Sequence, residues 1–148
     1  MQQLVDYAKR FLLTPYIFGG AHPAFGLDCS GLVQIILASI GMDPHGDQSA
    51  QALWDHFAKE GAEIWEPKVG ALMFYGKDKD SITHIAFCVS AHQIIEAGGG
   101  GSNCTDLSKA IASEAFVRLR PIDHRKDLLG ILYPSYPDWL TQLELPLG

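Results

Sequence analysis

The sequence has few cysteines and lacks long apolar runs. Its three cysteines, Cys29, Cys88 and Cys104, form no CxxC pair and cannot all pair with one another. A disulfide framework is therefore not expected, and an odd count is compatible with one functional free thiol. No apolar run approaches the length of a membrane span. The N-terminus has neither the basic segment nor the apolar core of a secretory signal.

Basic residues are also scarce and scattered. Eleven Lys and Arg against 17 Asp and Glu give a formal net charge of −6. Because nucleic-acid binding requires clustered basic residues, no nucleic-acid partner is expected. The charge also disfavours lasting adhesion to an anionic wall or membrane. With no signal visible, we expect either a protein made in the cytoplasm that leaves by another route or a mature secreted form.

The pattern of apolar residues predicts a single α+β domain over residues 1–148. The chain is 47% hydrophobic and 19% charged, which is enough to build a core. Helical periodicity predicts helices over 2–13 and 29–39 and another after Asp47. Short alternating runs then predict an antiparallel meander, with a short helix within 105–114. The predicted strands are 71–75, 83–90, 92–97, 115–121 and 128–133. The apolar tail, 136–148, is expected to dock on the domain or on a partner.

The segment Asp28-Cys29-Ser30-Gly31 opens one of these helices, directly after a glycine-rich loop. A thiol in the first helical turn lies near the positive end of the helix dipole and near unpaired backbone N–H groups. Both stabilise a thiolate, so Cys29 is a candidate nucleophile. The alternative is a small buried hydrophobic residue, which is what most free cysteines are.

A cysteine nucleophile needs a base within hydrogen-bond distance, and His84 is the leading candidate. Strand alternation over 83–89 places His84 on one face with Ala86 and Cys88. These small neighbours would leave room for a helix terminus to approach. The alternative is a histidine with a purely structural role.

A third group is needed to orient that base, and Glu96 is the candidate carboxylate. It shares a face with His92 in the following strand. An odd number of loop residues near Ser90 places Glu96 across from His84, whereas a two-residue turn sends it to the opposite face. His92 is the alternative orienting group.

A metal site is the rival interpretation of these residues. His84, Cys88, His92 and Glu96 are acceptable zinc ligands, but their spacing matches no familiar ligand set. Cys29 would also lose its base. We therefore expect no metal and no other cofactor.

Four stretches, in this order, resemble the NlpC/P60 family of papain-like cysteine peptidases. They are TPYIFGG at 14–20, GLDCSGLV at 26–33, VGALMFY at 69–75 and HIAF at 84–87. The resemblance implies a circularly permuted papain-like fold, with helices packed on an antiparallel sheet. It also implies cleavage of the stem peptides of peptidoglycan, typically at a γ-D-glutamyl–diaminopimelate bond.

The resemblance further implies roles for single residues. Cys29 matches the nucleophile and His84 the base, while Glu96 falls where the family places its third polar residue. The expected substrate-binding and oxyanion residues are Tyr16, which lines the site near the oxyanion, and Asp28 and Ser30, which contact the substrate's amino end.

The sequence departs from the family pattern at two positions and leaves two alternatives. Glu96 replaces the usual histidine, and Ala71 replaces a common aspartate before a strand. One alternative is an acyltransferase or amidase that uses the same thioester. The other is an assembly component, such as part of a phage tail tip or secretion device, that carries this domain and binds a protein partner through its tail.

Overall fold

Helices precede an antiparallel sheet in the chain, as the sequence predicts. The computed structural model describes residues 1–142, so Leu143 and Leu145 of the predicted tail lie outside the described residues. The helices are α1 (Gln2–Lys9), α2 (Cys29–Ala38), α3 (Ala50–Glu60), α4 (Leu107–Ala112) and α5 (Asp138–Thr141). The strands are β1 (Ala21–His22), β2 (Gly26–Leu27), β3 (Ala62–Ile64), β4 (Leu72–Gly76), β5 (Ile82–Cys88), β6 (Gln93–Ala97), β7 (Val117–Pro121) and β8 (Leu128–Tyr133). The α+β fold class is confirmed.

The main sheet has six antiparallel strands in the order β3-β8-β4-β5-β6-β7. Strands β4 to β7 form the predicted meander, but β8 returns to lie between β3 and β4. The simple meander is therefore wrong for the last strand. Strands β1 and β2 form a separate two-stranded ribbon within a stretch that the sequence pattern predicts to be a loop. The return of β8 carries the preceding loop, 122–127, back toward the middle of the sheet.

The two faces of the sheet are buried by different sets of side chains. Ile85, Phe87 and Ile95 belong to the larger cluster, which includes the apolar residues of α2 and α3. Ala86 and Cys88 belong to a second cluster, formed by residues of the sheet itself. Ala86 and Cys88 lie on the face away from the helices, so they do not make the expected room, although the start of α2 does reach the strand beside His84.

Helix α2 begins and ends with well-defined caps. The side chain of Asp28 accepts a hydrogen bond of 2.7 Å from the backbone N–H of Gly31. At the other end, Gly41 adopts a φ of +72°, and the N–H of Met42 donates to the Leu37 carbonyl at 2.9 Å. Gly41 thus terminates the helix in the left-handed conformation that favours glycine, and Cys29 is the first helical residue.

The 14–28 loop packs tightly against this helix start. The Asp28 N–H donates to the Gly20 carbonyl at 2.9 Å. A Cβ atom on Gly31 would collide with the same carbonyl oxygen. Only glycine therefore allows the loop and the helix to approach so closely.

Gly31→Ala is expected to lower the free energy of unfolding by about 1–3 kcal/mol, because helix and loop must separate. Urea unfolding measures the change. Gly98→Ala is the matched control, since its Cβ would meet the nearest heavy atom at an ordinary 3.5 Å. Equal stability of the two variants would contradict this packing argument.

The described part of the C-terminal tail packs on the domain. Tyr136 and Leu140 are buried, and the Tyr136 hydroxyl donates to the Gly70 carbonyl at 2.6 Å. A protein partner bound through the tail stays a prediction. Within residues 1–142, no helix has the length and apolar character needed to cross a membrane.

Candidate active site

Cys29 lies in an open cleft that extends to both sides of its thiol. One part, of about 410 Å³, is lined by His84, the 98–102 loop and Arg125. The other, of about 540 Å³, is lined by Asp28, Ser30 and Asp47, among others. Tyr16, Phe18, Cys29 and Thr83 border both parts. A chain laid along this cleft would pass directly over the thiol.

His84 is the titratable side chain that interacts directly with Cys29. Its ring is buried, with 6% of the residue exposed, and its Nε2 lies 2.5 Å from Glu96 Oε2. Cys29 and His84 line the same cavity, and because Glu96 occupies Nε2, Nδ1 is the ring nitrogen left for the thiol. Burial alone would lower the pKa of His84, but the bonds to Cys29 and Glu96 outweigh it and raise the pKa to about 9. The imidazole is therefore held as an imidazolium beside the thiol at neutral pH.

The position of Glu96 follows from the length of the β5–β6 loop. Cys88 pairs with Ile94, and the Val89 N–H donates to the Gln93 carbonyl, so three residues, 90–92, form the turn. Of the two registers that the sequence left open, the structure has the odd loop, which puts Glu96 on the face of His84. Continuing the pairing places Glu96 opposite Ala86, so its carboxylate reaches His84 diagonally.

Glu96 is buried among basic side chains. Its Oε1 lies 3.8 Å from Arg120 Nε and 3.9 Å from His124 Nε2. Burial would raise the pKa of this carboxyl, but the hydrogen bond to His84 and the positive charges of His84 and Arg125 outweigh it and lower the pKa. Glu96 is therefore an ionised carboxylate at neutral pH, and it favours the charged form of His84.

His92, the alternative orienting group, lies exposed in the turn. Its backbone N–H donates to Ser90 Oγ, and within residues 1–142 no hydrogen bond joins it to His84. No group of His, Cys, Asp and Glu side chains in that range is arranged to hold a metal ion.

Tyr16 borders the thiol from the loop side. Its backbone is held in place because its N–H donates to the Ala115 carbonyl at 2.9 Å. Burial and the nearby charges of Cys29 and Asp28 raise the pKa of Tyr16 to about 12. The phenol therefore keeps its proton and can donate a hydrogen bond in the cleft.

Asp28 and Ser30 line the other part of the cleft, but they also bond to each other. Ser30 Oγ donates to Asp28 Oδ1 at 3.1 Å, the same oxygen that caps α2. Burial, as the largest effect, raises the pKa of Asp28. Oδ1 of Asp28 is thus occupied by bonds that hold the start of α2.

Sequence reasoning missed Arg125, Asp47 and Phe18 as cleft residues. Arg125 lies in a polar loop with no distinctive pattern, and its position depends on the return of β8. Asp47 precedes α3 and reaches the cleft because α3 packs beside α2. Phe18 is half exposed although it is aromatic, and its place beside Tyr16 in the motif at 14–20 is the sequence signal that could have found it.

The fold and the site together define a papain-like cysteine peptidase. A thiol at a helix N-terminus faces a histidine on an antiparallel sheet, and a carboxylate on the next strand bonds to that histidine.

Comparisons with known proteins agree with this class. The sequence model of the NlpC/P60 family matches residues 13–121. The bifunctional muramidase/DL-endopeptidase CwlT of Bacillus subtilis (strain 168) is 32% identical over 108 residues, covering 72% of this chain and 32% of CwlT. The gamma-DL-glutamyl hydrolase of the same strain is 30% identical over 95 residues, covering 64% of this chain and 22% of that protein.

Solved structures share the fold. The crystal structure of an NlpC/P60 family protein from Bacillus cereus ATCC 10987 superposes with a TM-score of 0.68 at 21% identity, covering 93% of this chain and 41% of that one. The chain described here belongs to the NlpC/P60 family of papain-like cysteine peptidases. It spans about a third or less of the length of the two Bacillus subtilis relatives.

Proposed function

We propose that this chain is a peptidoglycan endopeptidase that cleaves stem-peptide amide bonds, at the γ-D-glutamyl–diaminopimelate linkage, through a thioester on Cys29. The observation that carries the proposal is the contact of Cys29 with His84, which is itself bonded to Glu96 in a cleft open on both sides. Two relatives, named as a DL-endopeptidase and a gamma-DL-glutamyl hydrolase, support the choice of bond.

In the first half of the reaction, the Cys29 thiolate attacks the carbonyl carbon of the scissile amide. The negative charge on the carbonyl oxygen is stabilised by backbone N–H groups at the start of α2 and by the Tyr16 hydroxyl. The His84 imidazolium then donates its proton to the leaving nitrogen. The C–N bond breaks, the amine leaves, and the acyl group remains on sulfur.

In the second half, water attacks the thioester. Neutral His84 accepts a proton from the water, and the C–S bond breaks to return the thiolate and the imidazolium. The acyl group leaves as a carboxylic acid. Glu96 stabilises the imidazolium in both halves and keeps Nδ1 of His84 directed at the sulfur.

Incubation of the protein with L-Ala-γ-D-Glu-diaminopimelate is expected to release free diaminopimelate, detected by mass spectrometry. Purified peptidoglycan should yield fragments cut at the same bond. The isomer with an α-linked D-glutamyl residue is the matched control and should stay intact. Absence of fragments, or cleavage at a different bond, would rule out the proposed specificity.

The acyltransferase alternative differs only in the fate of the thioester. Adding an amine acceptor to the same reaction separates the two, because a hydrolase yields mainly free acid while a transferase yields mainly the amide. We expect the free acid to dominate.

A further inference from the structure

Arg125 lies at one end of the cleft, and the proposed reaction gives it no role. It belongs to the loop 122–127 between β7 and β8, and it lines the same 410 Å³ cavity as Cys29 and His84. Its side chain is 34% exposed. A cation is thus presented to any substrate in this part of the cleft.

The guanidinium is held in one orientation. Its Nε and Nη2 donate to the two carboxylate oxygens of Asp127 at 2.9 and 2.8 Å. Its Cζ also lies 5.2 Å from the centre of the Tyr75 ring. An arginine fixed on two sides needs little ordering when it binds a ligand.

The pair with Asp127 leaves donors unused. A guanidinium has five N–H groups, and Asp127 takes two of them along one edge. Within residues 1–142, the guanidinium has no other hydrogen-bond acceptor. Nη1 and the second N–H of Nη2 therefore form a fork of the shape that binds a carboxylate.

The two ends of the cleft carry opposite charges. Asp28 and Asp47 line the part beyond the thiol, whereas Arg125 lines the part that contains His84. Because His84 protonates the leaving amine, the leaving residue occupies the Arg125 end. A substrate carboxylate that reaches Arg125 therefore belongs to the leaving residue and not to the acyl part.

We propose that Arg125 is a specificity determinant that binds a free carboxylate on the leaving residue of the substrate. This inference rests on the proposed function. The carboxylate is either the α-carboxylate of that residue or the second carboxylate of a diamino acid. The site discriminates against substrates whose leaving residue carries neutral amides at both positions.

The test compares three peptides with the same L-Ala-γ-D-Glu acyl part. Their leaving residues are diaminopimelate, L-lysine and L-lysine amide, so they carry two, one and no free carboxylates. Wild-type kcat/KM is expected to be about tenfold higher for the preferred acid than for the amide, the effect of one charge-assisted hydrogen-bonded pair at a partly exposed site. A preference for lysine over its amide identifies the α-carboxylate, and a preference shown by diaminopimelate alone identifies the second carboxylate.

Arg125→Gln should abolish this preference while leaving kcat/KM for lysine amide within about twofold. Unchanged kcat/KM for the lysine amide peptide would also show that the variant is folded. Arg125→Lys keeps the charge without the fork and should retain part of the preference. Lys126→Gln removes a neighbouring positive charge from the same loop and should change nothing.

Two results would overturn the proposal in different ways. Equal losses for all three peptides in Arg125→Gln would show a structural role and would leave the proposed function standing. Failure of the wild-type protein to cleave any of the peptides would remove the proposed function and this inference with it.

Discussion

Cys29→Ala is expected to abolish amide hydrolysis and to leave the fold intact. The loss should be about 10³-fold or more, since the variant has no atom to form the acyl intermediate. The thiol makes one long contact with the protein backbone, 3.9 Å to the Thr83 carbonyl. The free energy of unfolding should therefore change by less than about 1 kcal/mol. Peptide turnover and urea unfolding measure the two quantities.

Cys88→Ala is the matched control for this substitution. Cys88 is fully buried in the second cluster, and burial raises the pKa of its thiol to about 12. The control should keep its activity and lose about 1–2 kcal/mol of stability through the small cavity it creates. Retained hydrolysis in Cys29→Ala, or loss of turnover in a folded Cys88→Ala, would contradict the assignment of the nucleophile.

The start of α2 could be predicted from sequence because its determinants are local. Asp28 caps the helix, Gly31 allows close packing, and an apolar run follows. The position of Cys29 follows from these neighbours alone. No distant part of the chain is needed to place a thiol at a helix N-terminus.

The pairing of His84 with Glu96 could be predicted only conditionally. Strand alternation places each residue on a face, but the loop length decides whether the two faces coincide. The sequence allowed both an odd and an even loop near Ser90. Packing of the whole sheet selects the three-residue turn, and that selection is not visible in the turn residues themselves.

Arg125 could not be predicted as a cleft residue. The residues of its loop resemble an ordinary polar connection between strands. Its place beside Cys29 depends on β8 crossing back to pair with β4, a contact between segments about 55 residues apart. The face of the sheet that the helices cover also depends on distant contacts, which is why the sequence assigned Ala86 to the wrong face.

Glu96→Leu is expected to lower kcat/KM by roughly 10²–10⁴-fold. The substitution removes the hydrogen-bond partner of His84 Nε2, so the ring is no longer held toward Cys29. It also leaves Arg120 and His124 without their nearby carboxylate oxygen. The measurement is peptide turnover, with circular dichroism to verify the fold.

Glu96→Gln separates orientation from charge, because an amide oxygen can still contact His84 while the negative charge is lost. At pH 8.5 this variant should lose about tenfold in kcat/KM, as more of its His84 is neutral. The matched control is Glu63→Gln, which breaks only the surface ion pair with Lys79. It should behave as wild type, and an equal loss in both variants would show that Glu96 has no particular role.

The pH dependence gives the sharpest test of the His84–Glu96 pair. Because the pKa of His84 is raised from 6.5 to about 9, the imidazolium is lost as pH rises through about 9, and wild-type kcat/KM should fall there. In Glu96→Gln the fall should begin at lower pH.

The free energy of unfolding should also depend on pH through His84 and Glu96, in the direction that each pKa shift sets. The contribution of His84 is fully present below pH 6.5 and is lost as pH rises toward about 9, because the folded state binds this proton more tightly. The pKa of Glu96 is lowered, so its contribution is present above its usual 4.5 and is lost as pH falls below that value. Both contributions are therefore largest between about pH 4.5 and 6.5.

The free energy of unfolding of the wild type, measured with urea, should decrease from pH 6.5 to 9, and that of Glu96→Gln should decrease less. Identical slopes in the two proteins would show that the carboxylate does not hold the proton on His84.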